Sequence, residues 1–153
     1  MAKPEAGPMS LVAALVRSSF LVDAAYAQAG REHGLTPQQG QLLCVLMARP
    51  YGMGELSGVL GLAKSSLTGL VDRTAQHGLV RREDDPRDSR AVRVALTDEG
   101  SELAERFYAD ACRRIDDLPA GLTAEQRETL AALLGRVVLD NEAPVVFVEP
   151  DRA

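Results

Sequence analysis

The sequence predicts a mostly α-helical domain with one small β-hairpin. Apolar residues recur at helical spacing through about six segments, each bounded by a capping residue or a left-handed stop. The period changes to alternation only between residues 79 and 96, where two strands are expected. At 153 residues, with 46% hydrophobic and 25% charged side chains, the chain has the length of one ordinary domain and the composition of a folded one.

Ser10 can cap a first helix, in which Leu11, Leu15, Val22 and Ala25 share a face and which Gly34 ends. Thr36-Pro37-Gln38-Gln39 is a capping box with proline at the first helical position. It opens a second helix carrying Leu42, Leu43, Val45, Leu46 and Met47, ended by Arg49-Pro50-Tyr51-Gly52. Glu55–Leu60 forms a short helix stopped by Gly61, and Lys64–His77 a further helix stopped by Gly78.

Leu79–Glu83 and Ala91–Leu96 are expected to be the strands, joined by Asp84–Arg90, a loop long for a simple hairpin. Val92, Val94 and Leu96 would face one way, Arg93 and Ala95 the other. Thr97 caps a long helix with Leu103, Phe107, Ala111, Ile115 and Leu118 in one stripe. Thr123 and Gln126 box a last helix bearing Leu130, Leu133, Leu134, Val137 and Val138. Residues 1–9 are expected to be a flexible N-terminal segment. Residues 140–153 read as an extended or loosely packed tail with Pro144, an apolar Val145–Val148 run and Pro150.

No stretch approaches the roughly 20 apolar residues of a membrane span. Met1–Ser10 does not read as a secretory signal, so a cytoplasmic location is expected. Two cysteines and two histidines argue against a disulfide scaffold or a clustered zinc cage, and no metal or cofactor is expected. Cys44, set among Leu42, Leu43, Val45 and Leu46, reads as a buried inert thiol, while Cys112 stays ambiguous. His33 and His77 lie at helix ends, where a dipole role outweighs ligation. No nucleophile–base arrangement and no phosphate-cradling glycine loop is present, which points away from an enzyme.

The formal net charge of −5 argues at first against a nucleic-acid partner. The average hides a segregation. Residues 64–93 hold seven bases, Lys64, Arg73, Arg81, Arg82, Arg87, Arg90 and Arg93, against five acids, so this segment is +2 and the rest −7. A solvated charged hairpin would look the same; so would a binder of polyanions that offers one face. On the Lys64–His77 helix, Leu67, Leu70, Val71 and Thr74 fall on one stripe. Ser65, Gly69, Asp72 and Gln76 lie opposite, flanked by Ser66, Thr68 and Arg73. Small, hydrogen-bonding or cationic residues suit a helix that approaches base edges in a major groove. Lys64 and the two serines suit phosphate at its positive end. An ordinary surface helix has this pattern too, but the preceding short helix and Gly61 turn favour a helix-turn-helix followed by a two-stranded wing. An arginine near the wing tip can enter a narrow minor groove. Asp88, two residues before Arg90, is close enough to orient its guanidinium, or to form with it a surface ion pair of little value.

The stretch Leu62-Ala63-Lys64-Ser65-Ser66-Leu67-Thr68-Gly69-Leu70-Val71-Asp72-Arg73, followed by Gly78-Leu79-Val80, resembles the recognition helix of the multiple antibiotic resistance regulator (MarR) family. Asp85-Pro86-Arg87-Asp88-Ser89-Arg90, with Val94, Leu96-Thr97 and Gly100, resembles its wing and the start of its fifth helix. Leu35-Thr36-Pro37 and Leu42 resemble the start of its second helix. The resemblance spans residues 10–139 and implies a homodimeric winged helix-turn-helix transcription factor. Residues 35–96 would be the DNA-binding lobe, and residues 10–34 and 97–139 the dimerisation helices. It implies a pseudo-palindromic double-stranded operator, with Lys64, Ser65, Ser66, Thr68 and Arg73 at the major groove. Arg90, oriented by Asp88, would enter the minor groove with Arg87 nearby. Many members carry a larger polar or basic residue where Gly69 stands, a departure that bears on one direct base contact. Members commonly repress until a small, often phenolic or anionic ligand binds, and Arg17 beside Phe20 is the candidate ligand contact here, against a surface or intersubunit role for that arginine. The alternatives are a winged-helix dimer serving as a protein-interaction module, or a thiol redox-responsive regulator.

Overall fold

The computed structural model describes residues 7–143. Helix α1 spans Leu11–His33, α2 Pro37–Leu46, α3 Met53–Leu60, α4 Lys64–Gln76, α5 Asp98–Asp116 and α6 Ala124–Asp140. The strands are β1 Tyr51–Gly52, β2 Val80–Asp85 and β3 Asp88–Leu96, in the antiparallel order β1-β3-β2. The Val145–Val148 run and most of the two terminal segments lie outside the described residues.

The helix ends follow from the capping chemistry. The Ser10 hydroxyl accepts from the Ala13 amide at 3.2 Å. Thr36 and Gln39, and again Thr123 and Gln126, exchange reciprocal side-chain to backbone hydrogen bonds. Gly34, Gly61 and Gly78 take left-handed backbone at φ 68°, 64° and 73° and stop α1, α3 and α4. The Thr97 hydroxyl accepts from the Gly100 amide at 2.9 Å and donates to the Gly78 carbonyl at 2.6 Å, tying the start of α5 to the end of α4. Gly100 permits this approach, since a Cβ there would sit 1.8 Å from the Leu79 carbonyl oxygen.

The core lies between α2, α3, α4, α5 and the inner end of the sheet. Leu42, Leu43, Leu56, Leu67, Leu70, Val71, Thr74, Val94 and Phe107 are fully buried. Phe107 packs against Gly40, where a Cβ would fall 2.6 Å from the ring. Tyr26 and His33 of α1 flank the same ring, each with its centroid 6.3 Å away. Phe107 thereby joins α1, α2 and α5.

Four expectations need correction. Tyr51–Gly52 does more than end α2: it forms β1, pairing Tyr51 with Val94 and Gly52 with Arg93. Two residues are too short to show a period, and Pro50 and Gly52 read as turn. Helix α3 begins at Met53 rather than Glu55; the Glu55 carboxylate reaches back to accept from the Gly52 amide at 3.5 Å. The segment Asp84–Arg90 is not a long loop. The strands run on to Asp85 and from Asp88, leaving Pro86-Arg87 as the turn. Alternation reveals a strand only when one face is buried, and the outer ribbon is polar on both faces. For the same reason Val92 does not share a core face with Val94: it is 43% exposed on the projecting ribbon, while Val94 and Ala95 are both buried.

Candidate nucleic-acid interface

Helices α3 and α4 meet at a short turn. The Ser57 carbonyl accepts from the amides of Gly61 and Leu62, and the Ser57 hydroxyl donates to the Leu62 carbonyl at 2.6 Å. Ser57 is thus the residue that pins the turn, a role that sequence spacing did not reveal. Leu67, Leu70, Val71 and Thr74 are buried, as the helical stripe predicts. Lys64, Ser65, Ser66, Thr68, Asp72, Arg73 and Gln76 are exposed on the other side. The Thr68 hydroxyl donates to the Lys64 carbonyl at 2.9 Å, so outward it offers lone pairs and a methyl group.

The ribbon β2–β3 projects beside α4, and the two are tied by an ion pair. Arg82 Nη2 on β2 lies 2.6 Å from Asp72 Oδ1 on α4. Across the ribbon, Glu83 accepts from Arg93 at 2.6 Å and lies 3.2 Å from Arg81. The Arg93 hydrogen bond and the two nearby guanidinium charges hold the Glu83 carboxyl below its ordinary range. At the turn, Asp85 accepts from the Arg87 amide at 2.9 Å, and its carboxylate lies 3.5 Å from the Arg87 guanidinium. That amide, followed by the Arg87 charge, lowers the Asp85 carboxyl as well.

Asp88 does not orient the Arg90 guanidinium. It accepts from the Arg90 backbone amide at 3.0 Å, bracing the strand. Arg90 itself lies in β3, whereas Arg87 occupies the turn. The spacing of two residues suits a turn-like side-chain to amide bond better than a carboxylate–guanidinium fork.

The seven bases of residues 64–93 therefore fall into two groups. Arg81, Arg82, Arg87 and Arg93 each face a carboxylate. Among the described residues, Lys64, Arg73 and Arg90 have no acidic partner. All three project from α4 or the wing. This set, with the serines and threonine of α4, is a surface suited to a phosphate backbone and base edges.

Other candidates fall elsewhere. Arg17 and Phe20 are both exposed on α1. A cleft of about 460 Å³ opens instead between the end of α5 and α6, lined by Asp116, Pro119, Arg127, Leu130, Ala131 and Leu134. Cys44 is buried, and desolvation pushes its thiol up to about 12. His33 Nε2 lies 3.5 Å from Asp110 at the crossing of α1 and α5. The described residues contain no group of three or more His, Cys, Asp or Glu that could hold a metal, and none of their helices is long and apolar enough to cross a membrane.

A helix-turn-helix whose second helix presents a polar outer face, flanked by a two-stranded ribbon, defines a winged helix-turn-helix DNA-binding protein. Residues 33–91 match the model of the MarR family. The chain is 32% identical to the HTH-type transcriptional regulator PecS of Dickeya dadantii (strain 3937), over 85% of this chain and 81% of that one. It is 29% identical to the homoprotocatechuate degradative operon repressor of Escherichia coli, over 82% and 85%. A crystal structure of a MarR mutant from E. coli complexed with operator DNA superposes with a TM-score of 0.70 at 28% identity, covering 84% of this chain and 93% of that one. The chain belongs to the MarR family of transcriptional regulators, and its relatives are regulators, not enzymes.

Proposed function

We propose that this chain is a homodimeric, sequence-specific repressor that a small ligand releases from DNA. The observation that carries the reading is the sorting of charge: among the described residues, Lys64, Arg73 and Arg90 alone of the segment's bases lack an acidic partner, and all lie on α4 or the wing. Helix α4 would enter the major groove, with Ser65, Ser66, Thr68 and Arg73 on bases or phosphates and Lys64 on phosphate. Arg90, its strand braced by Asp88, would enter the minor groove, and Arg87 would stand nearby at the tip.

Residues 35–96 would form the reading lobe, and residues 10–34 and 97–139 the dimerisation lobe. The exposed apolar side chains of α1 and α6 support this, and a twofold dimer would in turn read a pseudo-palindromic operator. A phenolic or anionic effector, with Arg17 and Phe20 as candidate contacts, belongs to the same reading, as does a cytoplasmic site of action. The buried Cys44, with its thiol pushed up to about 12, counts against thiol switching at that residue.

The test is fluorescence anisotropy with duplex from upstream of the protein's own gene, titrated with salt. Two copies carry twice the three unpaired cations, so log K should fall against log salt with a slope between about −3.5, if Arg73 meets a base, and about −5.5, if it meets phosphate. Binding without salt dependence, or equal binding to unrelated duplex, would overturn the reading.

A further inference from the structure

We infer that Gly69 is a specificity-determining position: its missing side chain lets the Arg73 guanidinium lie over the outward face of α4 and read a guanine there. The inference rests on the DNA-binding reading above and names one chemical element of its target. Side chains on a helix lean toward its N-terminus, so Arg73 points over the residue one turn earlier, which is Gly69. Arg73 Nη1 lies 3.1 Å, and Cζ 4.0 Å, from where a Cβ on Gly69 would be. Gly69 is accordingly half-buried, although Ser65, Ser66, Thr68 and Asp72 around it are exposed.

The guanidinium is also free to bind. Asp72 is the one acid of α4, and Arg82 of the wing holds it at 2.6 Å. Arg73 has no acidic partner among the described residues. The outward face otherwise carries Lys64 at its start, Gln76 at its end, the engaged Asp72 and short hydroxyls, of which that of Thr68 donates to its own helix backbone. Arg73 therefore supplies the long, planar, two-pronged donor of this face, and such a fork matches O6 and N7 of guanine in the major groove. Where a larger residue at position 69 would itself point at the bases, this chain leaves the place empty and fills it from position 73.

Gly69→Ala separates this role from a structural one. The group a new Cβ meets is the far end of a flexible side chain, so the helix can keep its fold while the guanidinium moves aside. Alanine also favours helix over glycine. Thermal melts should show Gly69→Ala at least as stable as the parent.

The experiment is selection of bound duplexes from a random library of about 30 base pairs, using the full chain, Gly69→Ala, Arg73→Lys and Arg73→Ala. The parent should enrich a pseudo-palindrome with a fixed guanine in each half-site. Replacing that guanine by adenine should weaken the parent by roughly 5- to 150-fold and Arg73→Ala by less than about twofold. Gly69→Ala and Arg73→Lys should relax the preference at that position alone, with the other positions kept. If Arg73→Ala weakens all duplexes equally and flattens the salt slope by about 1 per half-site, Arg73 is a phosphate contact and the inference fails. It fails too if Gly69→Ala keeps the full guanine preference. Enrichment of no sequence by the parent would instead overturn the DNA-binding reading itself.

Discussion

Helices α2 and α6 are both opened by a threonine capping box, and are opposite in what they bury. Seven of the ten residues of α2 are buried; none of the seventeen of α6 is. Helix α1 resembles α6 along its first half, where Leu11 is 75% and Phe20 69% exposed. Local chemistry is equally sound in the two regions, so the difference lies in tertiary completion. The core that α2 shares with α3, α4, α5 and the end of α1 closes within one chain. The lobe of α1 and α6 presents Leu133, Leu134, Val137, Val138 and Leu139 to solvent, a face that a folded monomer would not be expected to leave open. A capped helix of seventeen residues is marginal on its own and needs its apolar face packed.

The sharpest way to break the comparison is from the closed side. Phe107 is fully buried and holds α1, α2 and α5 around one ring. Phe107→Ala should cost about 3–5 kcal/mol in urea unfolding. A loss under about 1 kcal/mol would mean that this core is far more yielding than its packing implies.

On the open side the expected loss is smaller and of another kind. Leu133, 63% exposed, touches little in its own chain. If the proposed homodimer forms through α6, Leu133→Asp should weaken it by about 2–4 kcal/mol while the core around Phe107 keeps its fold. Light scattering should show a monomer at micromolar concentration, and the melting temperature should lose the concentration dependence expected of the parent. A variant that stays dimeric would move the interface off α6.

The sequence made the two lobes unequally legible. Caps and stops were visible because they depend on single residues at fixed offsets: Ser10, Thr36, Thr97, Thr123, Gly34, Gly61 and Gly78 all act where the spacing predicts. The buried face of α4 was visible because it has a period. The stripes of α1 and α6 were visible as apolar, but a stripe does not say whether its cover comes from the same chain. The wing was partly hidden, since residues 84–90 are polar on both faces and strand pairing there leaves no alternation. The ion pairs were hidden altogether. Asp72 with Arg82 and Glu83 with Arg93 each join residues ten apart, across elements whose relative placement no local pattern encodes. Counting charges in the segment therefore found the basic surface but not which three bases are unpaired.

That sorting can be sharpened at the wing. Arg90→Ala removes a cation with no acidic partner among the described residues and should weaken operator binding by about 1–3 kcal/mol. If affinity is unchanged, the minor-groove assignment of Arg90 falls.

Arg87 offers the smallest and most discriminating effect. It sits at the turn with a highly exposed side chain, nearer the tip than Arg90, so position alone would make it the stronger contact. Its charge faces the Asp85 carboxylate at 3.5 Å, however, and that acid is anchored by the Arg87 amide. Exposed pairs of this kind are worth about 0–1 kcal/mol, and the pair as a unit carries no net charge toward phosphate. Replacing the acid should then act mainly on the charge that the tip presents. Asp85→Asn keeps an acceptor for the Arg87 amide and releases the guanidinium, so DNA binding should tighten by about 0.5 kcal/mol and the salt slope should steepen by about 1 per half-site. In the Asp85→Asn background, Arg87→Ala should undo both changes. Should Asp85→Asn leave the slope where it was, Arg87 already engages phosphate in the parent, and proximity to the tip outweighs pairing in deciding which cations of the wing meet DNA.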